Sequence, residues 1–178
     1  LLRVSGEVFS SAALAARISR YRALLRGPGG VTFTGGEPLL QAVFLLEVLD
    51  RIPDIPAALE TSGYAPPEVF AAVIRRMGLV YMDLKLADDR AHRRYTGVSN
   101  RLIVQNLELL RHSGVPCVLR TPLIPGITDT KENLAALRSL AGSLPWETLP
   151  YNELAGAKYP MLGMVFPYQD GIAEGEHT

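Results

Sequence analysis

The sequence predicts an α/β fold built on a parallel sheet, and three observations predict it. Short apolar runs rich in β-branched and aromatic residues alternate with segments of helical period. The connections between them are short and marked by Gly and Pro. Polar residues recur where each strand gives out, which is where folds of this class place their sites. Five strands separated by helices imply right-handed crossovers. A doubly wound sheet and part of a barrel both satisfy the pattern.

The elements are expected in the following order. Ser10 or Ser11 caps a first helix running to about Leu25, with Leu14, Ile18, Tyr21 and Leu25 on one face. Gly27-Pro28-Gly29-Gly30 stops it. Val31 to Thr34 is a strand, and Pro38 opens a helix to about Arg51 from the position where its missing N–H costs nothing. Ala57 to Thr61 is a strand ending in Ser62-Gly63. Pro66 or Pro67 starts a helix to about Met77, and Leu79 to Leu84 is the next strand. A short helix near Asp88 to Tyr95 precedes Thr96-Gly97, and Ser99 or Asn100 opens another to about Ser113. Val115 to Ile124 is a long strand, Thr130 to about Ala141 a helix, and Trp146 to Leu149 a last strand. This order suits one domain over residues 1–178, with 1–29 as linker and helix and 170–178 as a frayed tail.

Bulk properties narrow the function. At 48% hydrophobic the chain supports an ordinary core. Its formal net charge is zero, so no global field favours nucleic acid or an anionic membrane. No apolar run reaches membrane-spanning length. Leu1-Leu2-Arg3-Val4 lacks the layout of a signal peptide. The chain does not begin with Met, which fits a fragment or a processed product. The single cysteine, Cys117, allows no intrachain disulfide and fits a reducing, cytoplasmic setting. It also excludes a multi-cysteine metal or iron–sulfur site within the chain. Between Pro116 and Val118-Leu119 it reads as a buried, inert thiol.

Thr34-Gly35-Gly36-Glu37-Pro38 is the most informative segment. Two glycines at a strand end let a ligand approach bare backbone. Glu37 can accept charge-assisted bonds from an ammonium group, although a helix N-terminus also welcomes a carboxylate for its dipole. The later strand ends carry Glu60-Thr61, then Asp83 and Lys85, then Arg120, then Tyr151-Asn152. Only three lysines occur in the chain, and Lys85 stands two residues from Asp83, on the same strand face. A structural ion pair is the plain reading of any one such pair; five polar strand ends in succession point to a site.

With those residues in place, the sequence resembles the activating enzymes of glycyl-radical enzymes, a branch of the radical S-adenosylmethionine superfamily typified by the pyruvate formate-lyase activating enzyme. The matching stretches run in order from Gly30-Val31-Thr32-Phe33-Thr34-Gly35-Gly36-Glu37-Pro38-Leu39-Leu40-Gln41 to Leu59-Glu60-Thr61-Ser62-Gly63-Tyr64 and Met82-Asp83-Leu84-Lys85. They continue with His92, Thr96-Gly97, Asn100, Asn106, Arg120-Thr121-Pro122-Leu123-Ile124-Pro125-Gly126 and Leu149-Pro150-Tyr151-Asn152-Glu153-Leu154.

The resemblance implies a partial (β/α)6 TIM-like barrel, here lacking the first strand and the cluster loop. It implies S-adenosylmethionine chelated to one iron of a [4Fe–4S] cluster, with flavodoxin or ferredoxin as electron donor. Reductive cleavage then yields a 5′-deoxyadenosyl radical that takes hydrogen from a glycine of a glycyl-radical enzyme partner. By the same resemblance Gly35, Gly36 and Glu37 hold the methionyl ammonium. Glu60 and Thr61 lie near the ribose and a monovalent-cation site. Asp83 and Lys85 sit at the ribose and carboxylate side, and Arg120 contacts the cofactor. His92 and Thr96-Gly97 match a motif whose plain reading is a surface helix end.

Two departures stand out. The Cys-x3-Cys-x2-Cys cluster loop, expected upstream of residue 30, is absent. Asn152 replaces the usual His; it can hydrogen-bond a ribose or adenine edge but cannot titrate. The chain as given is therefore expected to bind S-adenosylmethionine weakly and not to cleave it. Two other readings remain at this level. One is a cluster-less binding or regulatory relative. The other is a radical enzyme acting on a small molecule, such as a deazaguanine-forming synthase, which the Gly-Gly-Glu-Pro segment alone permits.

Overall fold

Strands form where short apolar runs meet Gly and Pro stops. The computed structural model describes residues 6–27, 29–152, 159–160, 163 and 165. It contains β1 (Val31–Phe33), β2 (Ala57–Thr61), β3 (Leu79–Asp83), β4 (Cys117–Pro122) and β5 (Trp146–Leu149). They form one sheet in the order β1-β2-β3-β4-β5. The pairings β1 with β2, β2 with β3 and β4 with β5 are parallel, with Val31 opposite Ala57, Thr61 opposite Met82 and Leu119 opposite Trp146. Spatial order equals chain order. A doubly wound sheet reverses its strand order at a switch point; this one does not.

The helices are α1 (Ser11–Ser19), α2 (Arg22–Leu25), α3 (Ala42–Arg51), α4 (Pro67–Ile74), α5 (Asp89–Thr96), α6 (Arg101–Ser113) and α7 (Lys131–Ala141). The chain divides into two compact units, Leu1–Met82 with Leu102–Cys117 and Asp83–Arg101 with Val118–Thr178.

In the first unit, Ser10 caps α1 by accepting from the Ala13 amide at 3.1 Å. The helix packs on α3. Ala15, Val48, Ile52 and Ile55 form a core patch, with Leu14, Ile18, Leu25, Val31, Phe33 and Phe44 against it. The expected single helix to Leu25 breaks at Arg20-Tyr21, and Tyr21 is 61% exposed. Of the apolar stripe, Leu14, Ile18 and Leu25 pack on the core and Tyr21 does not. Beyond it, α2 brings Arg22 and Arg26 together on Asp54. Burial pushes the Asp54 carboxyl up, but its own backbone hydrogen bond and the two guanidinium groups outweigh this and the net shift is downward. The helix expected from Pro38 begins instead as a 3-10 turn, Pro38–Gln41. Buried residues alternate along the strands: Ala57, Leu59 and Thr61 are buried while Ala58 and Glu60 are half-buried, and Val80 and Met82 are buried while Tyr81 is not.

In the second unit β4 keeps the same alternation, with Leu119 and Thr121 buried and Arg120 half-buried between them. It is shorter than its apolar run. Ile124 turns away to donate its amide to the Thr128 hydroxyl at 2.6 Å, and that hydroxyl donates to the Pro122 carbonyl. Asp129 accepts from the Gly126 amide at 2.7 Å, closing the loop before α7, which Thr130 caps.

Candidate functional site

The segment after β1 is built around Glu37. This side chain caps the 3-10 turn by accepting from the Leu39 amide at 3.1 Å. The same Oε1 accepts from the Thr61 hydroxyl at 2.6 Å, and Oε2 accepts from Ser62 through its amide at 2.9 Å and its hydroxyl at 2.6 Å. A carboxylate offers about four lone-pair sites, and protein donors match all of them. Glu37 thus carries a load different from the one its position suggests: it latches the helix start to the end of β2. The open feature of the segment is its backbone. At Gly35 and Gly36 a methyl group would meet no protein atom within 4 Å, and Gly35 has φ 147°, which an L side chain rarely adopts. A ligand can reach main-chain atoms there.

The turn after β2 is held from α6. Asn106 is fully buried and donates through Nδ2 to the carbonyls of Gly63 and Ala65, both at 2.8 Å. Thr61 Oγ1 accepts from the Gly63 amide at 2.9 Å, so the turn that presents Ser62 to Glu37 is fixed on both sides. Glu60 lies on the other strand face and accepts from the Thr34 hydroxyl at 2.8 Å. Within this unit Glu37 and Thr61 meet directly, while Glu60 pairs with Thr34. Asn106 is the supporting residue that the motif match included without giving it a role. Its signal was a polar residue among Ile103, Leu107 and Leu110 on the buried face of an amphipathic helix.

In the second unit Asp83, Lys85 and Arg120 meet. Asp83 Oδ1 accepts from Arg120 Nη2 at 3.3 Å, and Oδ2 stands 3.5 Å from Lys85 Nζ. Arg120 is the least exposed of the three, at 16%. The pair expected from the two-residue spacing is present, and Arg120 joins it from the neighbouring strand. The cluster thus sets an ammonium and a guanidinium group beside one carboxylate.

His92 is buried, not a surface helix end. Its Nδ1 lies 2.7 Å from the Val98 carbonyl and 2.9 Å from the Thr96 hydroxyl, which itself donates to the His92 carbonyl. The motif ties down the turn after α5 through i, i+4 contacts along the helix. Asp89 ties the same turn, accepting from Ser99 Oγ at 2.5 Å and the Asn100 amide at 3.0 Å. Cys117 is a free, buried thiol whose pKa is raised by burial, as its apolar setting suggested. Asn152 is exposed. Tyr151 buries its hydroxyl with no hydrogen-bond partner among the described residues. Glu153-Leu154 and the tail at 170–178 lie outside the described residues. No described helix is long and apolar enough to cross a membrane.

The sequence profile of the radical SAM superfamily matches residues 5–137. The isethionate sulfite-lyase activating enzyme of Nitratidesulfovibrio vulgaris is 38% identical over 157 residues, covering 85% of this chain and 51% of the relative. The 4-hydroxyphenylacetate decarboxylase activating enzyme of Clostridioides difficile strain CD196 is 38% identical over 160 residues, covering 85% and 51%. The chain thus spans about half the length of the curated relatives it matches. A crystal structure of a domain of pyruvate-formate lyase-activating enzyme from Bacteroides vulgatus superposes with TM-score 0.63 at 35% identity, over 70% of this chain and 82% of that one. Streptococcus suis SuiB bound to S-adenosylmethionine shares the fold, with TM-score 0.66 at 13% identity over 86% of this chain and 36% of that one. The chain belongs to the radical SAM superfamily, and its curated relatives there are glycyl-radical enzyme activating enzymes.

Proposed function

We propose that this chain supplies the S-adenosylmethionine-binding part of an enzyme that activates a glycyl-radical enzyme. The observation that carries the reading is the Asp83–Lys85–Arg120 cluster, in which an ammonium and a guanidinium group stand together as donors suited to a carboxylate. The methionyl carboxylate has that chemistry. The open backbone at Gly35 and Gly36 suits close approach by a ligand. Glu37 acts toward the methionyl ammonium through the segment it latches. Glu60, Thr61 and Asn152 are proposed for the ribose and adenine edges, as the resemblance implies.

The cluster does not fit this chain's own residues. Iron–sulfur clusters are held by several thiolates; the chain has one cysteine, buried, with its thiol pushed away from ionisation. Among the described residues no three His, Cys, Asp or Glu side chains gather to hold a metal. No step is assigned to the cluster through these residues. Such a cluster, held elsewhere in the whole protein, would deliver the electron that S-adenosylmethionine accepts; this chain's share is to bind, orient and shield S-adenosylmethionine. A glycyl-radical enzyme as partner, flavodoxin or ferredoxin as electron donor, and a cytoplasmic setting belong to the same proposal.

The test is anaerobic. The full gene product, reconstituted with iron and sulfide and reduced with dithionite, is expected to convert S-adenosylmethionine to 5′-deoxyadenosine. The 178-residue chain treated identically is expected to yield none. Absence of product from the full gene product overturns the reading.

A further inference from the structure

Between β3 and α5 the chain has no regular structure, yet four successive carbonyls are each taken by a buried side chain. Leu84 O accepts from Thr121 Oγ1 at 2.7 Å. Lys85 O accepts from Asn133 Nδ2 at 3.0 Å. Leu86 O and Ala87 O accept from Asn100 Nδ2 at 3.2 and 2.8 Å. Asn133 Oδ1 in turn accepts from the Ala87 amide at 3.0 Å, and its Nδ2 also donates to Thr128 O at 2.8 Å. Leu84 N donates to Arg120 O at 2.8 Å, carrying the strand pairing past the end of β3.

All three donors are buried: Thr121 has 0% exposure, Asn100 6% and Asn133 9%. Leu84 and Leu86 are buried on either side of half-buried Lys85, so the strand alternation continues to residue 86. That continuation keeps Lys85 on the Asp83 face. A lysine stem has large rotamer freedom, and fixing its main chain removes the part of that freedom the side chain cannot control. Loops left to themselves do not hold a charged group this closely.

We propose that Asn133, with Asn100 and Thr121, is a positioning residue that fixes the Lys85 main chain so that its ammonium group meets the carboxylate of S-adenosylmethionine. This rests on the reading of the Asp83–Lys85–Arg120 cluster given above. Asn133 touches neither the ligand nor Lys85 Nζ; it acts through the Lys85 carbonyl and the Ala87 amide.

The experiment compares two ligands on the full gene product by equilibrium dialysis: S-adenosylmethionine and decarboxylated S-adenosylmethionine, which keeps the ammonium, sulfonium and adenosine groups. Asn133→Ala is expected to weaken S-adenosylmethionine about tenfold, the scale of one lost charge-assisted contact, and to leave the decarboxylated ligand unchanged. Lys85→Met is expected to do the same, and the double variant to be no worse than Lys85→Met alone. Equal weakening of both ligands in Asn133→Ala overturns the proposal, because a merely structural role predicts it. If the wild type binds both ligands equally and Lys85→Met changes neither, the cluster reading itself fails. Should Asn133→Ala not fold, Asn100→Ser and Thr121→Val carry the same comparison with the same two outcomes. Hydrogen exchange at the Ala87 amide is expected to accelerate in Asn133→Ala; unchanged exchange also overturns the proposal.

Discussion

Glu37 and Ser62 are bonded twice through one oxygen: Oε2 accepts both the Ser62 amide at 2.9 Å and the Ser62 hydroxyl at 2.6 Å. With Thr61 and Leu39 on Oε1, the carboxylate is an all-acceptor hub. Glutamine in its place turns an amide NH2 toward donors. Glu37→Gln is therefore expected to destabilise the chain by about 2 kcal/mol, and Ser62→Ala by about 1 kcal/mol. A double-mutant cycle in urea is expected to show positive coupling. Additive effects would mean the two residues do not act as a latch.

The Asn106 bonds span long chain separations, to Gly63 O and Ala65 O. Asn106→Leu keeps the volume and leaves both carbonyls buried without their donor, at an expected cost of about 3 kcal/mol. Asn106→Asp removes the same donors and adds a buried charge, so it is expected to be worse at neutral pH. Urea midpoints decide the ranking; a neutral Asn106→Leu would show that water replaces the donor.

The fold was legible because its signals are local. β2 runs from Ala57 to Thr61 as its apolar alternation requires, and Ser62-Gly63 ends it. The break between α1 and α2 was not, because it answers to Asp54, a partner distant in sequence. The same division holds in the candidate site. The spacing of Asp83 and Lys85 implied their pairing, since residues two apart share a strand face. The occupation of Glu37 by Thr61 and Ser62 depends on the strand register and could not be read from Gly-Gly-Glu-Pro. Asn106 and Asn133 lay in plain view as polar residues on buried helix faces, but only the fold shows which carbonyls they serve.

Asp89 gives the turn after α5 a pH dependence of known sign. The Ser99 hydroxyl first, then Arg93, lower its carboxyl from 3.8 to about 2, against a smaller upward push from burial. A carboxyl depressed on folding stabilises above its unfolded value and loses that contribution as pH falls toward the folded one. Stability is therefore expected to fall between pH 3.8 and about 2 partly through this group. Asp89→Asn is expected to be less stable than wild type at neutral pH and to show a shallower acid decline. Thermal melts across that range check both, and parallel acid declines would place the linkage elsewhere.

Gly63 sits where two constraints coincide. Its φ is +73°, and a Cβ there would stand 2.4 Å from Met82 Cε. The first constraint costs an L residue about 1–2 kcal/mol. The second falls on the flexible end of a side chain with 0% exposure, which must repack in a full core. Gly63→Ala is thus expected to lower stability by more than its backbone cost alone. Met82→Ala by itself opens a cavity and costs about 2–5 kcal/mol. Combined, the two are expected to be less damaging than their sum, because the new methyl group enters the space the methionine vacates. The residual deficit of that pair isolates the left-handed backbone. A strictly additive result would show that Met82 moves aside freely and that φ alone reserves the position for glycine.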